Sequence, residues 1–214
     1  MGVGAAIMVC ALAVALLLLA ERRESQRGKW LAKPIASAAF IATALLSGAL
    51  DSDYGRLLLF GLVLCMLGDV LLIPTGRIAM FRGGLFAFLA GHLAYAAAFL
   101  TQPLSRAWLA LAVVALSLAL LSLWRWLRPA LPTEMRRPVQ AYFVVIGIMA
   151  VLACAVTGAG GPGFVAAGAL GFAASDVAVA RDRFVSPQFL NRAWGLPLYY
   201  LAQLLLALSP AAIA

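Results

Sequence analysis

The sequence predicts an all-α, polytopic membrane protein with eight transmembrane helices. Of its 214 residues, 65% are hydrophobic and only 11% are charged, whereas a soluble domain is about half apolar and about a quarter charged. Too few polar side chains are present to cover the surface of a soluble protein of this size. The lipid bilayer must therefore be the solvent for most of the chain.

Eight apolar stretches come close to the roughly 20 residues that a spanning helix needs. In chain order they are residues 2–20, 35–50, 56–74, 83–100, 106–127, 138–157, 162–180 and 193–213. The second is the shortest. Helix breakers separate several of them, as in Pro74-Thr75-Gly76, Gln102-Pro103 and the glycine-rich residues 158–163. Because no linker or soluble segment interrupts the series, residues 1–214 are expected to form a single transmembrane domain.

The basic residues support this number of spans. Fourteen of the 16 Lys and Arg residues follow the first, third, fifth and seventh stretches or, for Arg125, lie at the end of the fifth. Only Arg56 and Arg106 lie on the other side. The positive-inside rule then places the four basic connections in the cytoplasm and both termini outside it. A bacterial inner membrane is the expected location. The net charge of +8 is thus a topology signal that can meet anionic lipids, and no nucleic-acid partner is expected.

Two acidic residues, Asp69 and Asp176, lie inside predicted spans. A charge within lipid is costly and is usually functional. Both predicted helices run inward, and each Asp lies about one turn from the cytoplasmic end, so the two could face one another. One interpretation is that each carboxylate is a buried cap or is paired with a nearby arginine. The functional interpretation is a carboxylate pair that performs general acid–base chemistry.

The only histidine, His92, lies in the middle of the fourth predicted span, with Tyr95 one turn further on. It could form an interhelical hydrogen bond or belong to a site. One histidine with two carboxylates is a poor match to a catalytic zinc site, which has three protein ligands with histidine predominant. No metal and no other cofactor is expected. Further candidates for substrate binding in or near the cytoplasmic half are Lys33, Arg82, Tyr142, Ser175, Tyr199, Tyr200 and Gln203.

These candidates also have structural interpretations. The tyrosines could pack or form an interfacial belt, and Lys33 could extend its ammonium to the interface. The functional alternative for Lys33 and Arg82 is to bind a phosphate head group. A weak internal repeat is present as well, because Gly68-Asp69-Val70 resembles Ser175-Asp176-Val177 half a chain length later. It suggests two parallel four-helix halves that each supply one Asp.

The order of these motifs along the chain resembles that of a known family. Gly-Asp, His-x-x-Tyr and Ser-Asp occur on the third, fourth and seventh predicted helices. The matching segments are Lys33-Pro34, Cys65–Leu72, Phe88–Tyr95, Tyr142–Met149, Gly168–Asp176 and Tyr199–Gln203. Together they resemble the YhhN family, the lysoplasmalogenases. One departure is Ala178-Val179-Ala180, where bulkier residues are common.

The resemblance implies an eight-helix hydrolase that cleaves the vinyl ether bond of a lysoplasmalogen to a fatty aldehyde and glycerophosphocholine or glycerophosphoethanolamine. It also implies that Asp69 and Asp176 are the catalytic pair. The chemistry suits carboxyl groups, because vinyl ethers hydrolyse through rate-limiting protonation at carbon, and a buried carboxylic acid can hold that proton. A second, ionised carboxylate can stabilise the cation and activate water, as in glycosidases. The sequence does not distinguish the acid from the base.

The main alternative is a small proton-coupled transporter or a lipid-binding membrane protein that uses the same aspartates as proton or cation sites. A hydrolase of esters or amides is less well supported, because the chain has no Gly-x-Ser-x-Gly motif and no typical set of zinc ligands. For the vinyl ether hydrolase, a lysophospholipid would enter sideways from the membrane, with its head group near Lys33 and Arg82.

Overall fold

The computed structural model describes residues 2–74 and 76–213, which form helices and short connections without a strand. Eight helices among them are long and apolar enough to cross a membrane, so the predicted fold class and number of spans are confirmed. They are α1 (Val3–Arg22), α2 (Gln26–Leu46), α3 (Asp53–Leu71), α4 (Ile78–Leu100), α5 (Arg106–Leu127), α6 (Thr133–Gly158), α7 (Gly163–Ala180) and α8 (Phe189–Leu208). The protein is an integral membrane protein.

Three shorter elements complete the helices. A 3-10 turn, Arg128–Ala130, extends α5, and a π-helical turn, Arg181–Val185, extends α7. A four-residue helix, α9 (Pro210–Ile213), follows α8. A π-helical turn is uncommon and often occurs at functional sites, and this one contributes Asp182 and Arg183 to the cavity described below.

The largest error in the predicted helix ends concerns α2. The prediction began it at residue 35, but the helix begins at Gln26, where the Ser25 hydroxyl accepts a hydrogen bond from the Gly28 amide. Lys29 and Lys33 therefore lie inside a helix, where each pairs with a carboxylate contributed by another helix. The sequence placed these two lysines in a connection between helices. They can lie in a helix because Glu21 and Asp69, from other helices, pair with them.

Helices α4 and α6 also begin earlier than predicted, at Ile78 and Thr133. Their first turns contain the basic residues that the prediction assigned to connections, including Arg82. Helix α8 likewise begins at Phe189 rather than at residue 193. A charged first turn can extend beyond the apolar stretch because it lies at the membrane surface. Helix α5 has the predicted bounds, 106–127.

Six of the helices form a closed ring in the order α2, α3, α4, α6, α7, α8, with α8 packed against α2. Outside this ring, α1 packs on α2 and α8, and α5 packs on α6. Several helix pairs recur four helices later, such as α3–α4 with α7–α8 and α2–α3 with α6–α7. This packing agrees with the two halves suggested by the sequence. The halves differ at α5, which has only Ala112 and Leu127 buried.

Helices α3 and α4 share an extensive interface that depends on small residues. A Cβ atom on Gly61 would lie 2.5 Å from a ring carbon of Tyr95 and 3.0 Å from the Gly91 carbonyl oxygen. A Cβ atom on Gly91 would lie 2.8 Å from the Cys65 sulfur. Small residues allow helices in membranes to approach this closely. The close contact fixes the position of α3, and thus of Asp69 near its end, relative to α4.

Candidate active site

A cavity of about 500 Å³ contains both aspartates that the sequence singled out. It lies at the basic end of the bundle, which we define as the end formed by the described residues of the connections after α1, α3, α5 and α7, namely 22–26, 71–74, 76–78, 127–133 and 180–189. Asp69 reaches the cavity from α3 and Asp176 from α7. The structure therefore brings the two carboxyl groups to one cavity although they are half a chain apart.

The cavity has an apolar arm and a charged mouth. The arm runs between α5, α6 and α7 and is lined by Leu116, Ala119, Leu120, Leu123, Phe143, Ile146, Leu170, Ala173 and Ala174. Leu170 and Ala174 in this arm are exposed. The mouth is lined by Glu21, Lys29, Asp182, Arg183, Asn191 and Arg192.

Asp69 is almost completely buried, with 1% of its surface exposed. One carboxylate oxygen, Oδ2, accepts hydrogen bonds from the Ser37 hydroxyl at 2.7 Å and the Tyr199 hydroxyl at 2.8 Å. The other, Oδ1, lies 3.3 Å from the Lys33 ammonium. A cation and two hydroxyl donors together stabilise a negative charge on this carboxyl group.

A second set of polar residues contacts the hydrogen-bond partners of Asp69. The Gln203 amide donates to the Tyr199 hydroxyl at 3.2 Å, and the Tyr95 hydroxyl donates to the Gln203 carbonyl oxygen at 2.9 Å. The Tyr200 hydroxyl lies 3.3 Å from that of Ser37. Tyr95, Tyr200 and Gln203 do not line the cavity. The structure thus places these predicted site residues where they can orient Asp69 and its hydrogen-bond partners rather than contact a ligand.

Asp176 has different surroundings. It is half-buried, and its Oδ2 accepts one hydrogen bond, from the Tyr142 hydroxyl at 2.7 Å. No Lys, Arg or His nitrogen of the described residues lies within 4.0 Å of this carboxyl group. The neighbouring Ser175 also lines the cavity, but its hydroxyl donates to the Phe172 carbonyl oxygen. Asp176 therefore lacks the cation that accompanies Asp69.

His92 is fully buried and does not line the cavity. Its Nδ1 lies 2.6 Å from the Phe88 carbonyl oxygen, and since a carbonyl can only accept, Nδ1 carries the proton. Its Nε2 has no hydrogen-bond partner in the described part of the chain. The ring packs on Phe172, with centroids 4.5 Å apart, and edge-on to Tyr142 at 5.3 Å. His92 thus contacts Tyr142, the residue that donates a hydrogen bond to Asp176.

The two predicted phosphate ligands differ in position. Lys33 lines the cavity, but its ammonium faces Asp69. Arg82 does not line the cavity, and its guanidinium lies 3.6 Å from Glu134 with its side chain 42% exposed. The charged residues of the mouth were not predicted as site residues. Glu21 and Asp182 could have indicated them, because they are acids in strongly basic connections near the helix ends.

Residues 2–74 and 76–213 contain no group of three or more His, Cys, Asp or Glu side chains that could hold a metal ion. The arrangement instead offers two carboxyl groups in unlike surroundings, next to an apolar arm and a charged mouth. Such a site can protonate one part of a bound amphiphile while it stabilises a positive charge nearby.

Comparisons with known proteins agree with the resemblance drawn from the motifs. The chain is 33% identical over 155 residues to lysoplasmalogenase TMEM86A of Bos taurus and 35% identical over 157 residues to that of Homo sapiens. Each match covers 70% of this chain and 62% of the relative, so the chain spans less than two thirds of the length of these relatives. No solved structure matches it. The YhhN family model matches residues 28–210, and the chain therefore belongs to the YhhN family.

Proposed function

We propose that this protein is a membrane-embedded hydrolase that cleaves the vinyl ether bond of lysoplasmalogens. The products are a fatty aldehyde and glycerophosphocholine or glycerophosphoethanolamine. The observation that carries this proposal is the pair of carboxyl groups in one cavity, where Asp69 faces a cation and two hydroxyls and Asp176 faces only Tyr142. The names of the TMEM86A relatives support the substrate class.

The unlike surroundings suggest a division of roles. Asp69 acts as the ionised carboxylate, because Lys33, Ser37 and Tyr199 all stabilise its negative charge. Asp176 acts as the proton donor, because no cation of the described residues faces it and its half-buried position leaves it open to a ligand. This pairing of one acid and one anion follows the logic of glycosidases, which also pass through an oxocarbenium ion.

The reaction then proceeds in three balanced steps. Protonated Asp176 donates its proton to the vinyl carbon remote from the ether oxygen, and the resulting oxocarbenium ion is stabilised by Asp69. Water adds to the carbon next to the oxygen and gives its proton to Asp69, which leaves a hemiacetal. During collapse, Asp69 returns that proton to the departing glycerol oxygen while Asp176 removes the proton of the hemiacetal hydroxyl. Both carboxyl groups are restored to their starting states.

The apolar arm accounts for how such a substrate could reach the carboxyl groups. Its residues on α5, α6 and α7 are hydrophobic, and two of them, Leu170 and Ala174, are exposed. An alkenyl chain can move from the bilayer into this arm without crossing water, because both surroundings are apolar. Helix α5 packs mainly on α6 and buries only Ala112 and Leu127, so we expect the alkenyl chain to enter on this side.

We further propose that the basic end faces the cytoplasm, with both termini on the other side of a bacterial inner membrane. The support is the asymmetry of Lys and Arg between the two ends. A cysteine introduced at exposed Arg106 should react in intact cells with a thiol reagent that cannot cross the membrane, and one at exposed Arg137 should not. The reverse labelling pattern would overturn this orientation.

An aldehyde assay tests the proposed activity. Purified protein in detergent is incubated with lysoplasmalogen, and the released fatty aldehyde is measured. We expect release by the unmodified protein, and a loss of at least about a hundredfold in Asp69→Asn and in Asp176→Asn. Asp53→Asn is the matched control, because Asp53 is exposed and lies at the opposite end. Proton-coupled uptake into liposomes without aldehyde release would favour the transporter instead.

A further inference from the structure

The mouth of the cavity contains charged side chains that the vinyl ether chemistry does not use. Five of them line it, Glu21, Lys29, Asp182, Arg183 and Arg192. They come from the end of α1, the first turns of α2 and α8, and the π-helical turn after α7. Lys29 is buried, Glu21, Asp182 and Arg192 are half-buried, and Arg183 is exposed. A charge that is withdrawn from water needs either a partner of opposite charge or a ligand.

Arg192 pairs with both acids of the mouth. The Glu21 carboxylate oxygen Oε2 lies 2.8 Å from the Lys29 ammonium and 3.2 Å from Arg192 Nη1. Asp182 Oδ2 accepts from Arg192 Nε at 3.1 Å and Nη2 at 3.0 Å. All three guanidinium nitrogens of Arg192 thus face carboxylates. Arg192 is therefore a positioning residue that ties the α1–α2 connection to the π-helical turn.

Lys29 and Arg183 retain unused donors. The Lys29 side chain is only 7% exposed and its ammonium has one carboxylate partner, although an ammonium has three N–H donors. The Arg183 guanidinium lies over the Phe81 ring, 4.6 Å from its centroid, and no carboxylate of the described residues pairs with it. Three cations and two carboxylates leave one positive charge in excess at the mouth. This excess matches one phosphodiester anion.

The order of groups along α7 and the π-helical turn that follows it matches the order of groups along a lysophospholipid. Leu170 in the apolar arm, Asp176 at the centre and Asp182 at the mouth follow one another at six-residue intervals, which correspond to about 9 Å each along a helix. A lysophospholipid presents an apolar chain, then the bond next to the glycerol, and then the phosphodiester. A ligand bound with its chain in the arm and its reactive bond at Asp176 would extend its phosphate toward the mouth.

We propose that Lys29 and Arg183 bind the phosphodiester of a lysophospholipid head group, and that Arg192 holds the π-helical turn so that Arg183 faces it. This inference rests on the proposed function for its substrate. It differs from the expectation drawn from the sequence, which gave that role to Lys33 and Arg82. In the structure, the Lys33 ammonium is paired with Asp69. Arg82 does not line the cavity.

The first test compares two vinyl ether substrates with the same alkenyl chain, one a lysoplasmalogen and the other an alkenylglycerol without phosphate. Lys29→Gln and Arg183→Gln should each raise the KM for the lysoplasmalogen by about 10- to 100-fold, the usual effect of losing a hydrogen bond to a charged group. Neither should change kcat/KM for the alkenylglycerol by more than about twofold. The control Arg137→Gln removes an exposed charge at the same end and should change neither.

An equal loss on both substrates would mean that the two residues are merely structural, and it would overturn the proposal. So would an unchanged KM for the lysoplasmalogen. This comparison requires activity, so a binding measurement separates the proposal from the proposed function. A non-hydrolysable alkyl-ether lysophospholipid should raise the unfolding temperature of the unmodified protein and of Arg137→Gln, but not that of Lys29→Gln or Arg183→Gln.

Binding of the ether lipid without any aldehyde release would contradict the proposed hydrolysis and still support the phosphodiester site. The unfolding temperature is also measured with inorganic phosphate in place of the ether lipid. Protection by phosphate equal to that by the ether lipid would overturn the assignment of the site to a lipid, because a free anion would then suffice.

Discussion

The pair formed by Lys33 and Asp69 offers a test of the energetics of the site. Lys33→Met keeps the length of the side chain and removes its charge. The Lys33 side chain is 11% exposed and that of Asp69 is 2% exposed, with Nζ and Oδ1 3.3 Å apart. The substitution leaves a buried carboxylate without its cation, and breaking a buried ion pair in this way costs about 3–5 kcal/mol. The Ser37 and Tyr199 hydroxyls still donate to Oδ2, so we expect the lower end of this range.

Adding Asp69→Asn should recover much of the lost stability, because the double variant buries no unpaired charge. The Asn carbonyl oxygen can still accept from Ser37 and Tyr199. We therefore expect Lys33→Met/Asp69→Asn to be more stable than Lys33→Met by about 1–3 kcal/mol. Both variants should lack aldehyde release, because neither has a paired carboxylate anion at this position. Stability and activity are thus expected to separate in the double variant.

The assay is reversible unfolding of the purified protein in mixed detergent micelles, with all four members of the cycle measured in the same detergent. The control is the equivalent cycle on Arg56 and Asp53, whose side chains are 56% and 83% exposed. That exposed pair should show no measurable coupling. If Lys33→Met were as stable as the unmodified protein, or if the double variant lost the sum of the two single effects, Lys33 and Asp69 would not be a coupled buried pair.

Three further substitutions, one of them with a matched control, examine other parts of the site and fold. Tyr142→Phe removes the hydrogen bond to Asp176 and should lower kcat about tenfold with little change in KM, measured as aldehyde release. Gly61→Ala places a Cβ atom 2.5 Å from a neighbouring ring and should destabilise the protein by about 1–3 kcal/mol, whereas Gly163→Ala has open space and should be neutral in the same unfolding assay. Ala174→Phe narrows the apolar arm and should raise KM for long alkenyl chains but not for short ones; equal effects on both would contradict the chain-binding role.

The number of spans could be predicted because the length of an apolar stretch and the alternation of basic charges are properties of the sequence itself. The start of α2 could not. Lys29 and Lys33 lie in a helix because Glu21 and Asp69 pair with them, and these partners come from other helices. A single sequence does not reveal such contacts, so the charges resembled a connection between spans.

The same distinction applies to the site. Asp69 and Asp176 could be predicted as site residues because a carboxyl group within an apolar membrane helix is costly, and such residues are therefore rare and usually functional. Glu21, Asp182 and Arg192 were overlooked because charges at helix ends are ordinary. Only the fold brings Glu21, near the start of the chain, to Asp182 and Arg192 near its end. Arg82 was chosen for its charge and depth, but its side chain points to Glu134 instead of the cavity.

The central claim is that a carboxylic acid of this protein protonates the vinyl carbon of a lysoplasmalogen. The most direct measurement is hydrolysis in heavy water with mass spectrometry of the aldehyde, which is trapped as it forms. The mechanism predicts one deuterium at the carbon next to the aldehyde group, and no such product above background in Asp176→Asn. Aldehyde without deuterium, or labelled aldehyde formed at an undiminished rate by Asp176→Asn, would contradict it.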